Sequence, residues 1–187
     1  MKPEEKQIIR LFAKTPAGLS DGMYWGRMAI ISRPKSTINF DTNSSQIGAQ
    51  ISLTINQLIP VVFKKGNPST DITIEKLNFK EDSAGVTMSL IAKTDNTTPF
   101  IGTGKLTVKD EKGAVVQELK VPLSIYYRLL KEVKLNCKYM ATGKYQYSFD
   151  IISGRDDVKD EFLVKAEEKH IENSFYFDKS KYLTTTK

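Results

Sequence analysis

The 187-residue chain has one cysteine, Cys137, and one histidine, His170. A lone cysteine forms no intrachain disulfide and leaves the redox compartment open. Zinc is held by several His or Cys side chains, so no metal site is expected. A Ser-His-Asp or Cys-His arrangement would have to use His170, which stands in the charged run AEEKHIENSF, far from anything resembling a nucleophile elbow. Arginine is scarce, with only Arg10, Arg27, Arg33, Arg128 and Arg155. Arginine is the usual bidentate reader of phosphates and base edges, and the 28 Lys and Arg are interleaved with 22 Asp and Glu. The net charge of +6 therefore describes a solvated surface and no nucleic-acid partner. No apolar run approaches the roughly 18 to 20 residues of a membrane helix, and MKPEEKQIIR does not read as a signal peptide. The expectation is a non-enzymatic chain without a cofactor, a metal or a transmembrane segment.

What the sequence does have is strand signals. KQIIRLFAK (6–14), MYWGRMAIIS (23–32), AQISLTINQLIPVVF (49–63), DITIEKLNF (71–79), GVTMSLIAK (85–93), GKLTVKD (104–110), VVQELKVPLSIYY (115–127) and KYQYSFDIIS (144–153) are rich in β-branched and aromatic residues. Gly, Pro, Asn or Asp bounds most of them. Ile51, Leu53 and Ile55 alternate with Ser52, Thr54 and Asn56, the period of a half-buried strand. KDEKGA (109–114) puts Gly113 where a hairpin needs positive φ. KKGNPSTD (64–71) is polar, carries Gly and Pro, and reads as a hinge. The chain is all-β.

One pattern occurs twice. Leu19, Gly22 and Tyr24 in LSDGMYWGRMAI (19–30) return as Met140, Gly143 and Tyr145 in MATGKYQYSFDI (140–151). In immunoglobulin-type sandwiches a tyrosine at the start of a late strand folds its hydroxyl back onto the backbone upstream, a tyrosine corner. Here the apolar residue would plug the core and the glycine would let the loop turn tightly. The alternative is that both tyrosines are ordinary strand aromatics. Their contexts differ: about eighty residues separate Tyr145 from the hinge, whereas twenty-three precede Tyr24. Two immunoglobulin-like β-sandwich domains are expected, the first incomplete, since residues 1–64 offer three strands where such a domain has seven. Either natural sequence precedes Met1, or another chain supplies the missing strands.

The run from KPEEKQIIRLFAK through GMYWGRMAI to ISLTINQLIPVVFKKG resembles the later half of the first domain of periplasmic pilus chaperones and their PapD-like relatives. The counterparts are Pro3, the strand Tyr24 to Ile31, the variable loop 33–46, and Pro60, Val61 and Phe63 of the long last strand. The resemblance implies a periplasmic or cell-surface protein that holds a partner protein by β-augmentation, with Ile51, Leu53 and Ile55 lending apolar side chains to the partner's sandwich. The alternative for these three is their own domain's core. The family anchors its partner's C-terminal carboxylate with an arginine of its first strand and a lysine of its last. That first strand has no counterpart here and NQLIPVV carries no lysine, so a relative reusing the scaffold as a chaperone or accessory subunit of a surface or secretion assembly is expected. The competing reading is a run of structural immunoglobulin-like repeats from a longer adhesin or cell-envelope protein.

These readings divide the chain into a partial first domain (1–64), a hinge (65–70), a second domain (71–161) and a C-terminal tail (162–187). Three smaller features have plain readings. Cys137 in KLNCKYM alternates with apolar neighbours as a core thiol. GRDDVKDE (154–161) fits no EF-hand and reads as an acidic turn. GTGK (102–105) is too short for a phosphate loop and reads as a hairpin or bulge.

Overall fold

The computed structural model describes residues 8–12, 14–32, 54–94 and 98–182. Its architecture is all-β, in three antiparallel sheets. The first is a two-stranded ribbon of β1 (Gly22–Ser32) and β2 (Ile55–Lys65). The second orders β3 (Ile72–Asp82), β4 (Gly85–Thr94) and β7 (Arg128–Lys134). The third has the order β6-β5-β8-β9, where β5 is Phe100–Lys109, β6 Val115–Ile125, β8 Gly143–Ser153 and β9 Lys169–Phe177. No helix among the described residues is long and apolar enough to cross a membrane.

The second and third sheets share one core. Val86, Met88, Leu90 and Ala92 alternate along β4 and are buried, as the period of two requires of a strand with one inward face. From the other sheet Leu106, Val108, Leu123, Phe149 and Ile151 meet them. Phe79 of β3 stacks on Phe175 of β9 at 4.5 Å between ring centroids and lies 4.4 Å from Tyr147 of β8, tying the two layers at one end. Cys137 is buried within this core, where its Sγ accepts from the Val86 amide at 3.3 Å. Loss of hydration there pushes its thiol pKa up.

The β5-β6 hairpin follows its turn chemistry. Gly113 has φ of 82°, and Asp110 Oδ1 accepts from the amides of Lys112 and Ala114 at 2.9 and 2.8 Å. The two glycines of GTGK are neither hairpin nor bulge: Gly102 and Gly104 lie inside β5, in unbroken register with β6 and β8. Their reason is space. A Cβ at Gly104 would fall 2.3 Å from the Phe149 ring, and one at Gly102 would fall 2.3 Å from the Ile152 carbonyl and 2.4 Å from Phe100.

Three further expectations differ from the structure. Residues 8–12 and 14–16 form no strand and add to neither edge of the β1-β2 ribbon, with Ile8 and Phe12 exposed. RLLKEVK (128–134), passed over in the sequence, is β7 and pairs along its length with β4. The segment read as a tail contains β9, which pairs with β8 from Gly143↔Phe177 to Ile151↔Lys169. It is the edge of the third sheet, with Phe177 fully buried.

Replacing Gly104 by alanine forces a methyl group into the Phe149 ring. Overpacking of this kind costs about 1 to 3 kcal/mol. A urea titration should give a lower midpoint for Gly104→Ala than for Gly143→Ala, where an added Cβ meets only Glu111 Oε1 at 3.9 Å.

Candidate protein-binding site

β1 and β2 pair in continuous register from Gly22↔Lys65 to Ser32↔Ile55, so the alternation of their side chains fixes two faces. On one stand Met23, Trp25 and Arg27 of β1 with Leu58, Pro60, Val62 and Lys64 of β2. This face meets the sandwich. The Trp25 ring lies 4.4 Å from that of Tyr126 and 5.5 Å from that of Tyr127, and Lys64 Nζ donates to the Leu163 carbonyl at 3.4 Å. On the other face stand Tyr24, Met28 and Ile30 with Ile55, Ile59, Val61 and Phe63. Ile55 is 56% exposed, Val61 39% and Phe63 36%, whereas Tyr24, Met28, Ile30 and Ile59 are half-buried, so this apolar face is only partly covered.

Pro60 fixes the direction of the β2 backbone. It has no N–H to donate, so its pair with Arg27 is of the non-hydrogen-bonded kind, and the peptide groups of even-numbered β2 residues point away from β1. Asn56, Leu58, Val62 and Lys64 therefore present N–H groups along an edge that pairs with no other described strand. Odd-numbered residues carry the ladder to β1.

Of the three residues expected to engage a partner, Ile51 and Leu53 lie outside the described residues. Ile55 opens β2 on the partly covered face; at this exposure it fills no core. A proline inside a strand marks an unpaired edge, so Pro60 was the signal by which this geometry could have been found in the sequence. Nothing in the sequence marked Trp25 and Tyr126 as the contact that seats the ribbon.

The two tyrosines make the same bond. Tyr145 Oη donates to the Ala141 carbonyl at 2.9 Å and accepts from the Ala141 amide at 2.9 Å. Tyr24 Oη donates to the Ser20 carbonyl at 3.0 Å. Each hydroxyl thus reaches four residues upstream and ties a loop to the strand that follows. Tyr145 is buried beneath this loop with Met140, whereas Tyr24 is half-buried. The glycines act differently from the expectation. Neither Gly22 nor Gly143 has positive φ; in the first copy Gly18, at 84°, makes the turn.

The charged residues form local pairs. Arg155 grips Asp157 through Nε to Oδ1 at 2.5 Å and Nη2 to Oδ2 at 2.8 Å, and its Nη1 donates to Ser124 Oγ at 2.6 Å. This fork holds the Asp157 carboxyl below the usual carboxylate range. His170, on the outer face of the third sheet, pairs through Nδ1 with Asp150 and through Nε2 with Glu172 at 3.2 Å. The hydrogen bond to Asp150 raises its pKa above the ordinary 6.5, with Glu172 adding to the effect. Among the described residues no three His, Cys, Asp or Glu side chains gather as a metal site would require.

Tyr145→Phe removes the hydroxyl and leaves the Ala141 amide and carbonyl without it, at a cost of about 1 to 3 kcal/mol. The same change at the more exposed Tyr24, where water can replace the bond, should cost under about 1 kcal/mol. Thermal unfolding of the two variants should rank them in that order. His170 gives a pH dependence of known sign. Its folded-state pKa is raised, so the pairs with Asp150 and Glu172 stabilise fully below the ordinary 6.5 and lose that effect as pH rises through the folded value. Urea midpoints at about pH 5.5 and about pH 8.5 should differ more for the parent chain than for His170→Gln.

Compared with models of known protein families, with curated proteins and with solved structures, the chain matches none.

Proposed function

We propose that this chain is a non-enzymatic, extracytoplasmic protein-binding module that takes a strand of a partner protein onto the free edge of β2. It serves as a chaperone-like or accessory subunit of a surface or secretion assembly. The observation that carries the reading is the ribbon itself, with an edge that no other described strand pairs, beside a partly exposed apolar face of Ile55, Ile59, Val61 and Phe63. Two-stranded ribbons are marginal alone, and a third strand would add main-chain hydrogen bonds along the edge while its alternate side chains extend cover across the open face. Pro60 interrupts the row of donors once, leaving Asn56 and Leu58 on one side of it and Val62 and Lys64 on the other.

The proposal includes an immunoglobulin-like identity for the sandwich of residues 72–177. Seven strands in the orders β3-β4-β7 and β6-β5-β8-β9, and a tyrosine corner where β8 begins, support it. The ribbon would then be the last hairpin of a second such unit, as the matching Tyr24 corner suggests. The extracytoplasmic setting rests on the resemblance to the PapD-like chaperones.

Asn56→Pro tests the mechanism. The Asn56 N–H points away from β1, so proline removes an edge donor and leaves the ribbon's own ladder in place. Complex recovered from the native source should bind this variant about tenfold more weakly, and the amides of Leu58 and Val62 should exchange more slowly in the parent complex than in the free protein. Parent-like affinity in Asn56→Pro with the ribbon intact would rule out strand addition at this edge.

A further inference from the structure

A cleft of about 470 Å³ lies between the inner face of the ribbon and the sandwich, within the roughly 300 to 1,000 Å³ of ligand sites. One wall is Leu58, Pro60 and Val62 of β2; the facing wall is Ile101, Tyr126 and Phe162. Every charged side chain lining it is a cation: Arg27, Lys64 and Arg155. Their partners differ. Arg155 spends its fork on Asp157, and Lys64 gives a hydrogen bond to the Leu163 carbonyl. Arg27 has no carboxylate within reach among the described residues. Its side chain is exposed, and its guanidinium carbon lies 5.9 Å from the ring centroids of both Trp25 and Tyr126, within cation–π range, while its N–H donors meet no acid among the described residues.

We infer that this cleft binds a fatty carboxylate. An apolar trough with no lining acid and a guanidinium that no described acid neutralises repels cations, gives a neutral chain no ionic partner, and matches an anion on a hydrocarbon body. The hydrocarbon would cover Leu58, Val62 and Phe162, which stand 59%, 38% and 55% exposed in the open cleft, and their removal from water drives association. The carboxylate takes the Arg27 fork in the two-pronged geometry that lysine cannot offer. Along β2 the wall from Leu58 to Lys64 runs about 20 Å at the strand rise, long enough for an extended acyl chain. This site involves the face of the ribbon opposite Ile55 and Phe63, so it stands independently of strand addition at the β2 edge.

Trp25 is the only tryptophan in the chain and its ring touches that of Tyr126, a cleft wall, so its emission reports occupancy directly. Dodecanoate, kept below its micelle concentration, should produce a saturable change in Trp25 emission and a matching isotherm by calorimetry. Dodecanol should bind at least about tenfold more weakly, as should dodecanoate to Arg27→Gln, since each removes one charge-assisted contact. Phe162→Ala, which alters the facing wall at a half-exposed position outside the strands, should weaken dodecanoate and dodecanol alike. Because Arg27→Gln itself perturbs Trp25, calorimetry decides that arm, and its circular dichroism spectrum must match the parent's. Absence of a saturable response to dodecanoate in the parent chain, equal affinity for dodecanol, or undiminished binding in folded Arg27→Gln would each overturn the assignment. A chain that fails to bind dodecanoate yet still loses its protein partner on Asn56→Pro would reject the ligand site and leave strand addition standing.

Discussion

A two-stranded ribbon has two faces and two edges, and the sandwich beside this one lies against a single face. The seat is the contact of Trp25 with Tyr126 and Tyr127, next to Met23, which is buried on the same side. Once Trp25 faces the sandwich, the period of two places Arg27 there as well and sends Tyr24, Met28 and Ile30 to the opposite side. The antiparallel register then assigns β2: Pro60 and Val62 inward, Val61 and Phe63 outward. The outward apolar face and the cleft both follow from this one orientation of the ribbon.

Strands bounded by turn residues were legible in the sequence, and the hairpin around Gly113 was legible down to its conformation. β7 and β9 were not. RLLKEVK has the composition of a helix, and no Gly or Pro separates it from β6; only its pairing with β4 makes it a strand, with Leu129 and Val133 turned toward the core. β9 opens on Lys169, His170 and Glu172, charges suited to an edge and to a tail alike. What distinguishes the two is Phe175 meeting Phe79 across the sandwich, a contact 96 positions apart in sequence that no local pattern encodes.

The doubled motif shows a different limit. Its tyrosines and their four-residue reach were readable because the hydroxyl bonds within its own loop, a local interaction. The reason for its glycines was not. Gly22 and Gly143 keep ordinary backbone angles, while the glycines at 102 and 104, which looked like punctuation, are held by rings from elsewhere in the fold. A glycine demanded by a turn announces itself through its neighbours, whereas one demanded by a distant phenylalanine does not. Of the residues expected to engage a partner, Ile55 carries the same lesson: alternation gave its face but could not say that it stands 56% exposed.

Pro60 links the two sides of the ribbon. In a strand, backbone direction and side-chain direction alternate with the same period, so each β2 residue has both set together. Odd-numbered residues bond to β1 and turn their side chains to the open apolar face; even-numbered residues aim their peptide groups at the free edge and their side chains toward the cleft. A strand added at that edge would therefore bond to the same residues whose side chains form the cleft wall, and its own alternate side chains would prolong that wall. The missing N–H at Pro60 breaks the row of donors at the position where Arg27 stands opposite, leaving two donors on either side for an added strand. Strand addition and cleft occupancy would thus draw on the same five or so residues through different groups, backbone for one and side chain for the other. That separation lets one short strand present two surfaces without either requiring the other.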